Sequence, residues 1–299
     1  VGLVATIDWT RWGGWRFPGG AALPLRTPTL PPATHTNAVF VGRERVWIVD
    51  PGSPFEDGRR ALAAALDNLE RPVAGIVLTH HHPDHVGAAA WLRERLGSPV
   101  LAHRETAARL EGPEARGGRG LVTGTLDEGA ILDGGAPEDR WRVLHTPGHA
   151  PGHIVLWQPQ RRGLVAGDMA AAVGTIVVQP PHGDMARYLA SLRRLVALAP
   201  AWLVPAHGGL VEPAVPHLQH YIDHRLARER AVLAAVDAGA RTLAEITAGA
   251  YPDLPSSLYG LASCSAHAHL LKLAAEGRVH AVDGAASSPG ARWCSSPEA

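Results

Sequence analysis

The sequence predicts an α/β fold: a layered sheet-and-helix domain over residues 1–220, followed by a small, mostly helical domain over 221–299. Short runs rich in Val, Ile and Leu alternate with helical patterns up to about residue 220, the signature of stacked sheets and helices. After Glu212 the pattern changes to three helical segments, a short strand and a glycine. Size agrees: 299 residues, 46% hydrophobic and 19% charged, are enough for one large core plus a small second module.

Strands are expected at 38–41, 46–49, 74–78, 100–102, 142–144, 154–157, 163–165, 175–178 and 202–204, each a short β-branched or aliphatic run. Helices fit at 58–69, 86–96 and 184–198; in the last, Tyr188, Leu189, Leu192, Leu195 and Val196 mark one apolar face. Residues 112–120 read as a loop rich in Gly and Arg. Beyond it, 224–238, 243–250 and 263–276 read as helices and 278–282 as a strand, a winged-helix-like order, with 285–299 a loose tail. A helical cap on the first domain is the alternative for this region.

Lys and Arg balance Asp and Glu at 28 each, so no global field draws the chain to nucleic acid or an anionic membrane. The arginines Arg193, Arg194, Arg225, Arg228 and Arg230 are expected to be solvated or paired with acids such as Glu229, with steering of a phosphate backbone as the alternative. No run approaches the ~18 apolar residues of a membrane span. The first twenty residues lack the basic start and apolar stretch of a secretory signal, and Cys264 and Cys294 form no disulfide framework. A cytoplasmic protein is therefore expected. Trp9, Trp12 and Trp15 are expected to pack on the core, with lining of a hydrophobic site as the alternative.

Four expected strands run into metal-binding side chains at their C-terminal ends. The segment 75–79 leads into His80-His81-His82-Pro83-Asp84-His85, 142–144 into His145-Thr146-Pro147-Gly148-His149, 164–167 into Asp168, and 202–206 into His207. Sheets of this class place their binding loops at such ends. An extended backbone sends His80 and His82 to one side and His81 to the other. Pro83 then bends the chain so that Asp84 and His85 serve a second metal. A catalytic zinc takes three protein ligands and leaves one position open. Seven residues fit two such sites: His80, His82 and His149 on one metal, Asp84, His85 and His207 on the other, and Asp168 across both. Imidazole and carboxylate without thiolate favour two Zn²⁺ per chain and leave Fe or Mn open. Two cations roughly 3.5 to 4 Å apart ionise a bridging water and hold the resulting hydroxide, which predicts hydrolysis, with Asp84 as the catalytic group orienting that hydroxide.

The series His-x-His-x-Asp-His, Thr-Pro-Gly-His, Gly-Asp and Pro-Ala-His-Gly resembles the full motif set of the metallo-β-lactamase superfamily. The segments Asp184-Met185-x-x-Tyr188-Leu189-x-Ser191-Leu192 and His224-Arg225-x-x-Arg228-Glu229 resemble the beta-lactamase-like protein 2 family. This resemblance implies an αββα metallo-β-lactamase sandwich with metals at one edge, a C-terminal winged-helix-like domain, and the same seven ligands. It also implies a turn, Asp50-Pro51-Gly52, whose Asp50 supports the ligand shell. Some members of that family are single-strand-selective endoribonucleases, and glyoxalase II thioester hydrolases are related.

The expected function is thus a zinc hydrolase using a metal-bridging hydroxide on an ester or thioester. A single-strand-selective endoribonuclease and an iron-dependent oxidoreductase on the same scaffold are the alternatives. His35 and His182 are candidate substrate contacts; His81, His145 and His153 flank ligands. The expected partner is a small acyl substrate or single-stranded RNA, without a membrane, in a chain for which a homodimer is a reasonable base-rate expectation.

Overall fold

The computed structural model describes residues 9–112 and 119–296, apart from the side chain of Trp12. Contacts divide the chain into two units: Val1–Thr146 with Gly152–Ile176 and Leu198–Val215, and Pro147–Pro151 with Val177–Ala197 and Pro216–Ala299.

The first unit is built on two sheets. One holds seven strands in sequence order: β1 (Trp15–Phe17), β2 (Gly20–Arg26), β3 (His35–Val41), β4 (Val46–Val49), β5 (Val73–Leu78), β6 (Val100–Ala102) and β7 (Gly124–Thr125). The other runs in the order β12 (Trp202–Pro205), β11 (Gly163–Gly167), β10 (Ile154–Gln158), β9 (Arg140–His145) and β8 (Ile131–Asp133). Because side chains alternate along a strand, the seven-stranded sheet buries two different faces. Leu23, Phe40, Ile48, Ile76 and Leu78 pack under Leu62, Leu92 and Leu110 of α1 (Glu56–Asp67), α3 (Ala89–Leu96) and α4 (Arg104–Glu111). Ala22, Val39, Val49 and Val77 turn the other way, onto Trp141, Val143, Ile154, Leu156, Val165 and Val204 of the second sheet. Each large aliphatic side chain so buried contributes about 1.5–3 kcal/mol.

In the second unit α5 (Met185–Ala197) precedes α6 (Ala214–Asp237, from Pro216 on), α7 (Leu243–Ala250), α8 (Tyr259–Ala275), β13 (Val279–Asp283) and β14 (Arg292–Ser295). Val232, Val236, Ile246, Leu270, Leu273, Val279 and Trp293 form one core. Thr242 and Glu245 close α7 with a reciprocal capping box. Among the described residues, no helix is long and apolar enough to cross a membrane.

Several sequence expectations need correction. The segment 175–178 is no strand: it pairs with neither sheet, and the Val177 carbonyl accepts from the His149 ring. The single helix expected at 86–96 is broken at Gly87 and Ala88, giving α2 (Pro83–Val86) and α3. The tail at 285–299 is not loose over its described part, because β14 pairs with β13 and buries Trp293 completely. Helix α6 starts ten residues earlier than expected, its Pro216 lying in the first turn, where no helical hydrogen bond is lost. Trp9 is buried against Phe40, ring centroids 4.8 Å apart. Most of the loop expected at 112–120, residues 113–118, lies outside the described residues.

Candidate metal centre

Asp50 organises the site. It ends β4 in the left-handed region, φ 50°, a conformation that Asp tolerates better than most residues. Its Oδ1 accepts from the Thr79 amide at 2.7 Å, and its Oδ2 accepts from Thr79 Oγ1 at 2.6 Å and from His85 Nδ1 at 2.7 Å. All three residues are buried. The Thr79 hydroxyl spends its proton on Asp50, so its 3.0 Å contact with His80 Nδ1 requires that nitrogen to be the donor. The same logic sets His207, whose Nδ1 donates to the His35 carbonyl at 2.9 Å. Thus His80, His85 and His207 each hold a proton on Nδ1, which leaves Nε2 as the nitrogen that loses its proton to a metal, the tautomer a ligand needs.

These nitrogens converge. His80 Nε2 and His82 Nδ1 lie 2.9 Å apart. Asp168, at the end of β11, stands between two sets: its Oδ2 is 4.0 Å from His80 Nε2, and its Oδ1 is 3.5 Å from His85 Nε2 and 3.3 Å from His207 Nε2. Asp84 Oδ2 adds a second carboxylate, 3.8 Å from His85 Nε2 and 3.7 Å from His207 Nε2. His82 caps α2 and Pro83 opens it, which directs Asp84 and His85 inward. Gly52 makes the close approach possible, since a Cβ there would fall 1.7 Å from the Asp84 carbonyl oxygen.

Charge in this pocket is concentrated. In the metal-free state, burial pushes the His85 imidazole down, yet Asp50, Asp168 and Asp84 outweigh it and hold the group well above its usual range. His207 is likewise raised by Asp168 against burial. Burial pushes Asp168 up, and His85 and His207 more than reverse it, leaving the carboxyl well below the usual range. Buried His85 Nε2 has no hydrogen-bond partner among the described residues. An orphaned, inward-facing imidazole nitrogen costs stability unless something binds it, and a divalent cation fits the two imidazole-carboxylate sets around it.

His149 belongs to the second unit. Its turn rests on α5: the Gly148 carbonyl accepts from Asp184 N at 2.8 Å, and the Pro147 carbonyl from Ser191 Oγ at 2.8 Å. Gly148 has φ 138°, and a Cβ there would meet Tyr188 N at 2.2 Å. The His149 Nδ1 donates to Val177 O at 2.8 Å, which again directs Nε2 to ligation. His182, half-buried, lies in the 179–183 turn of the same unit.

Other histidines play supporting parts. Buried His153 accepts the Asp168 amide on Nε2 at 3.0 Å and pairs Nδ1 with Thr146 Oγ1 at 2.9 Å, so both nitrogens are engaged in positioning Asp168. The His35 imidazole is exposed; it is the backbone carbonyl that serves the site. Asn37 is a further supporting residue that motif and spacing did not reveal. It spends both side-chain N–H groups on the carbonyls of Pro205 and Gly208, at 2.9 and 2.8 Å, and so holds the strand end that carries His207. A polar residue at a buried position of β3, just before its apolar run Ala38–Val41, was the available signal. His103, Glu105 and His145 also cluster, but the two rings stack at 4.0 Å and 12°, and parallel imidazoles cannot both bind one ion in their planes.

Residues 31–207 match the family model of the metallo-beta-lactamase superfamily, more than half of the chain. The chain belongs to that superfamily. Residues 242–293 match the beta-lactamase associated winged helix domain, so the C-terminal module is of that type. A beta-lactamase-like protein 2 homolog of Caenorhabditis elegans is 27% identical over 228 residues, covering 74% of this chain and 72% of the relative. A metallo-beta-lactamase family protein of Thermus thermophilus, TTHA1429, is similar in structure with a TM-score of 0.75 and 28% identity, covering 93% of this chain and 99% of its own. A third protein, TTHA1623, solved in a di-iron-bound form, is 32% identical with a TM-score of 0.51, covering 64% of this chain and 96% of its own.

Proposed function

We propose that this superfamily member is a binuclear metal-dependent hydrolase of esters or thioesters. The observation that carries the reading is Asp168, whose two oxygens face two separate imidazole sets. One metal would be held by His80, His82 and His149 and the other by Asp84, His85 and His207, with Asp168 within reach of both sets. All-nitrogen-and-oxygen ligation favours zinc; the di-iron form of the similar protein TTHA1623 supports iron as the second choice. Bound cations would acidify water and stabilise the negative charge that develops on the acyl oxygen.

The chain's own residues supply the rest. Asp50, through Thr79 and His85, and the His35 carbonyl, through His207, fix the ligand tautomers. Asp84 would orient the attacking water while serving as a ligand of the second metal. Water oxygen bonds to the acyl carbon, the C–S or C–O bond breaks, and the thiol or alcohol leaves with a proton.

The test is turnover of zinc-, iron- and manganese-loaded protein on thioesters, lactones, β-lactams, single-stranded RNA and a bis-aryl phosphodiester. The reading expects acyl substrates to be favoured and Asp84→Ala to lose about 10²–10⁴-fold in kcat. Wild-type activity in that variant sinks the mechanism, and exclusive RNA cleavage sinks the substrate class.

A further inference from the structure

The stacked rings of His103 and His145 do not suit an ion, but they stand at a joint that bears on Asp168. His103 follows β6 and caps α4: its Nδ1 accepts from the Glu105 amide at 3.3 Å, and its carbonyl accepts from the Ala107 amide at 2.9 Å. Thr106, fully buried in the same turn, donates its hydroxyl to the Gly152 carbonyl at 2.9 Å. A Cβ on Gly152 would fall 2.4 Å from the Thr106 nitrogen, so only glycine lets the helix sit so close. The peptide held in this way leads into His153, whose Nδ1 is paired with Thr146 and whose Nε2 accepts from the Asp168 amide. Contacts thus run from the cap through Thr106, Gly152 and His153 to the carboxylate, all within the first unit.

The His103 cap works in one protonation state only. A capping side chain must accept a hydrogen bond, and an imidazole accepts on Nδ1 only while that nitrogen is unprotonated. Burial and then the neighbouring His145 hold this ring below the usual imidazole range; Glu105 and Asp127 oppose them, and Arg104 adds to them. Glu128 accepts from the His145 amide at 2.7 Å. On protonation, Nδ1 of His103 becomes a second donor facing the Glu105 N–H, and its charge lies at the helix end that repels a cation. Another partner is at hand. A Glu105 carboxylate oxygen lies within 4.8 Å of a nitrogen of each ring, and the buried Glu105 Oε2 has no hydrogen-bond partner among the described residues.

We infer that the first turn of α4 is a proton-operated brace for Asp168, with His103 and Thr106 as positioning residues. While His103 is neutral, its cap holds the turn, and Thr106 holds the peptide that carries His153. When acid charges His103, the ring leaves the Glu105 amide for the Glu105 carboxylate, the turn loosens, and Asp168 loses its fixed orientation. The inference rests on the reading of Asp168 as the carboxylate within reach of two metals, and on no choice of substrate.

Backbone amide exchange of the metal-free protein, followed by NMR and corrected for the intrinsic pH dependence, reads both ends of this chain of contacts. It is measured at about pH 7.5 and about pH 5, either side of the usual imidazole value of about 6.5. Loss of a cap is worth about fivefold. Protection of the Glu105 and Asp168 amides should therefore fall about fivefold in acid relative to His103→Asn, which caps without titrating. His103→Ala should show the loss at both pH values. Thr106→Val should leave Glu105 protected and deprotect Asp168, with Thr106→Ser restoring it, and should weaken zinc about tenfold in chelator competition at neutral pH. Equal pH responses in wild type and His103→Asn, or Asp168 protection that Thr106→Val leaves intact, overturn the brace. Because exchange is read without metal or substrate, those outcomes leave the hydrolase reading standing; zinc bound away from Asp168 in a protein whose exchange behaves as stated fails that reading instead.

Discussion

Replacing Asp50 with Asn tests how the ligand tautomers are set. The carboxylate accepts three hydrogen bonds of 2.6–2.7 Å. Asn keeps the Thr79 amide through its one oxygen but offers N–H groups where Thr79 Oγ1 and His85 Nδ1 need an acceptor. His85 must then move its proton to Nε2. The Thr79 hydroxyl, now accepting from Asn, turns its own proton onto His80 Nδ1, 3.0 Å away, and that ring flips its tautomer as well. One substitution thus compromises a ligand of each proposed metal, and loss of such supporting groups costs about 10–100-fold in affinity. Asp50→Ala adds a different injury. It leaves three buried donors without an acceptor, about 3–5 kcal/mol for a broken buried pair, and puts Ala at φ 50°, about 1–2 kcal/mol more. Chelator-competition titration reads affinity, and urea unfolding of metal-free protein reads stability. An Asp50→Asn variant that binds both metals at wild-type affinity refutes the tautomer chain.

The metal-free chain should show an opposed pH response. His85 has a raised folded pKa, so its stabilisation is complete below the unfolded value of about 6.5 and is lost as pH rises through the folded value. Asp168 is lowered, so its stabilisation is present above about 3.9 and lost as pH falls through its folded value. Urea midpoints of metal-free protein should therefore fall above neutrality, while apparent metal affinity rises there because ligation requires unprotonated Nε2; parallel trends contradict this. Gly52→Ala drives a methyl into the Asp84 carbonyl and should cost well over the about 1–3 kcal/mol of ordinary overpacking, with loss of the second metal; an unchanged melting curve contradicts it. Trp293→Ala should cost about 3–5 kcal/mol in urea unfolding, since that ring is fully buried in the second unit's core; a loss under 1 kcal/mol, roughly that of a surface change, contradicts it.

The sheet core was legible because β4, β5, β6, β10 and β12 are short aliphatic runs that no helix could bury so evenly. β2 escaped because Pro24 interrupts it; the strand tolerates that residue through a seven-residue register with β3. β14 escaped because one buried Trp in a polar tail carries no periodicity. In the centre, the side chains that point their own donor atoms inward announced themselves by type and spacing. Those that act through the backbone or through another ring did not: His35 by its carbonyl, Asn37 by bracing a strand end, and His153 by holding the Asp168 amide. Such roles depend on who stands opposite after folding, which residue type alone cannot specify.

Anomalous diffraction from zinc-loaded crystals probes the pairing of the two imidazole sets around one carboxylate most directly. Two peaks are expected, one bonded to His80, His82 and His149 and the other to Asp84, His85 and His207, with Asp168 touching both. A single peak, or peaks away from Asp168, contradicts the account.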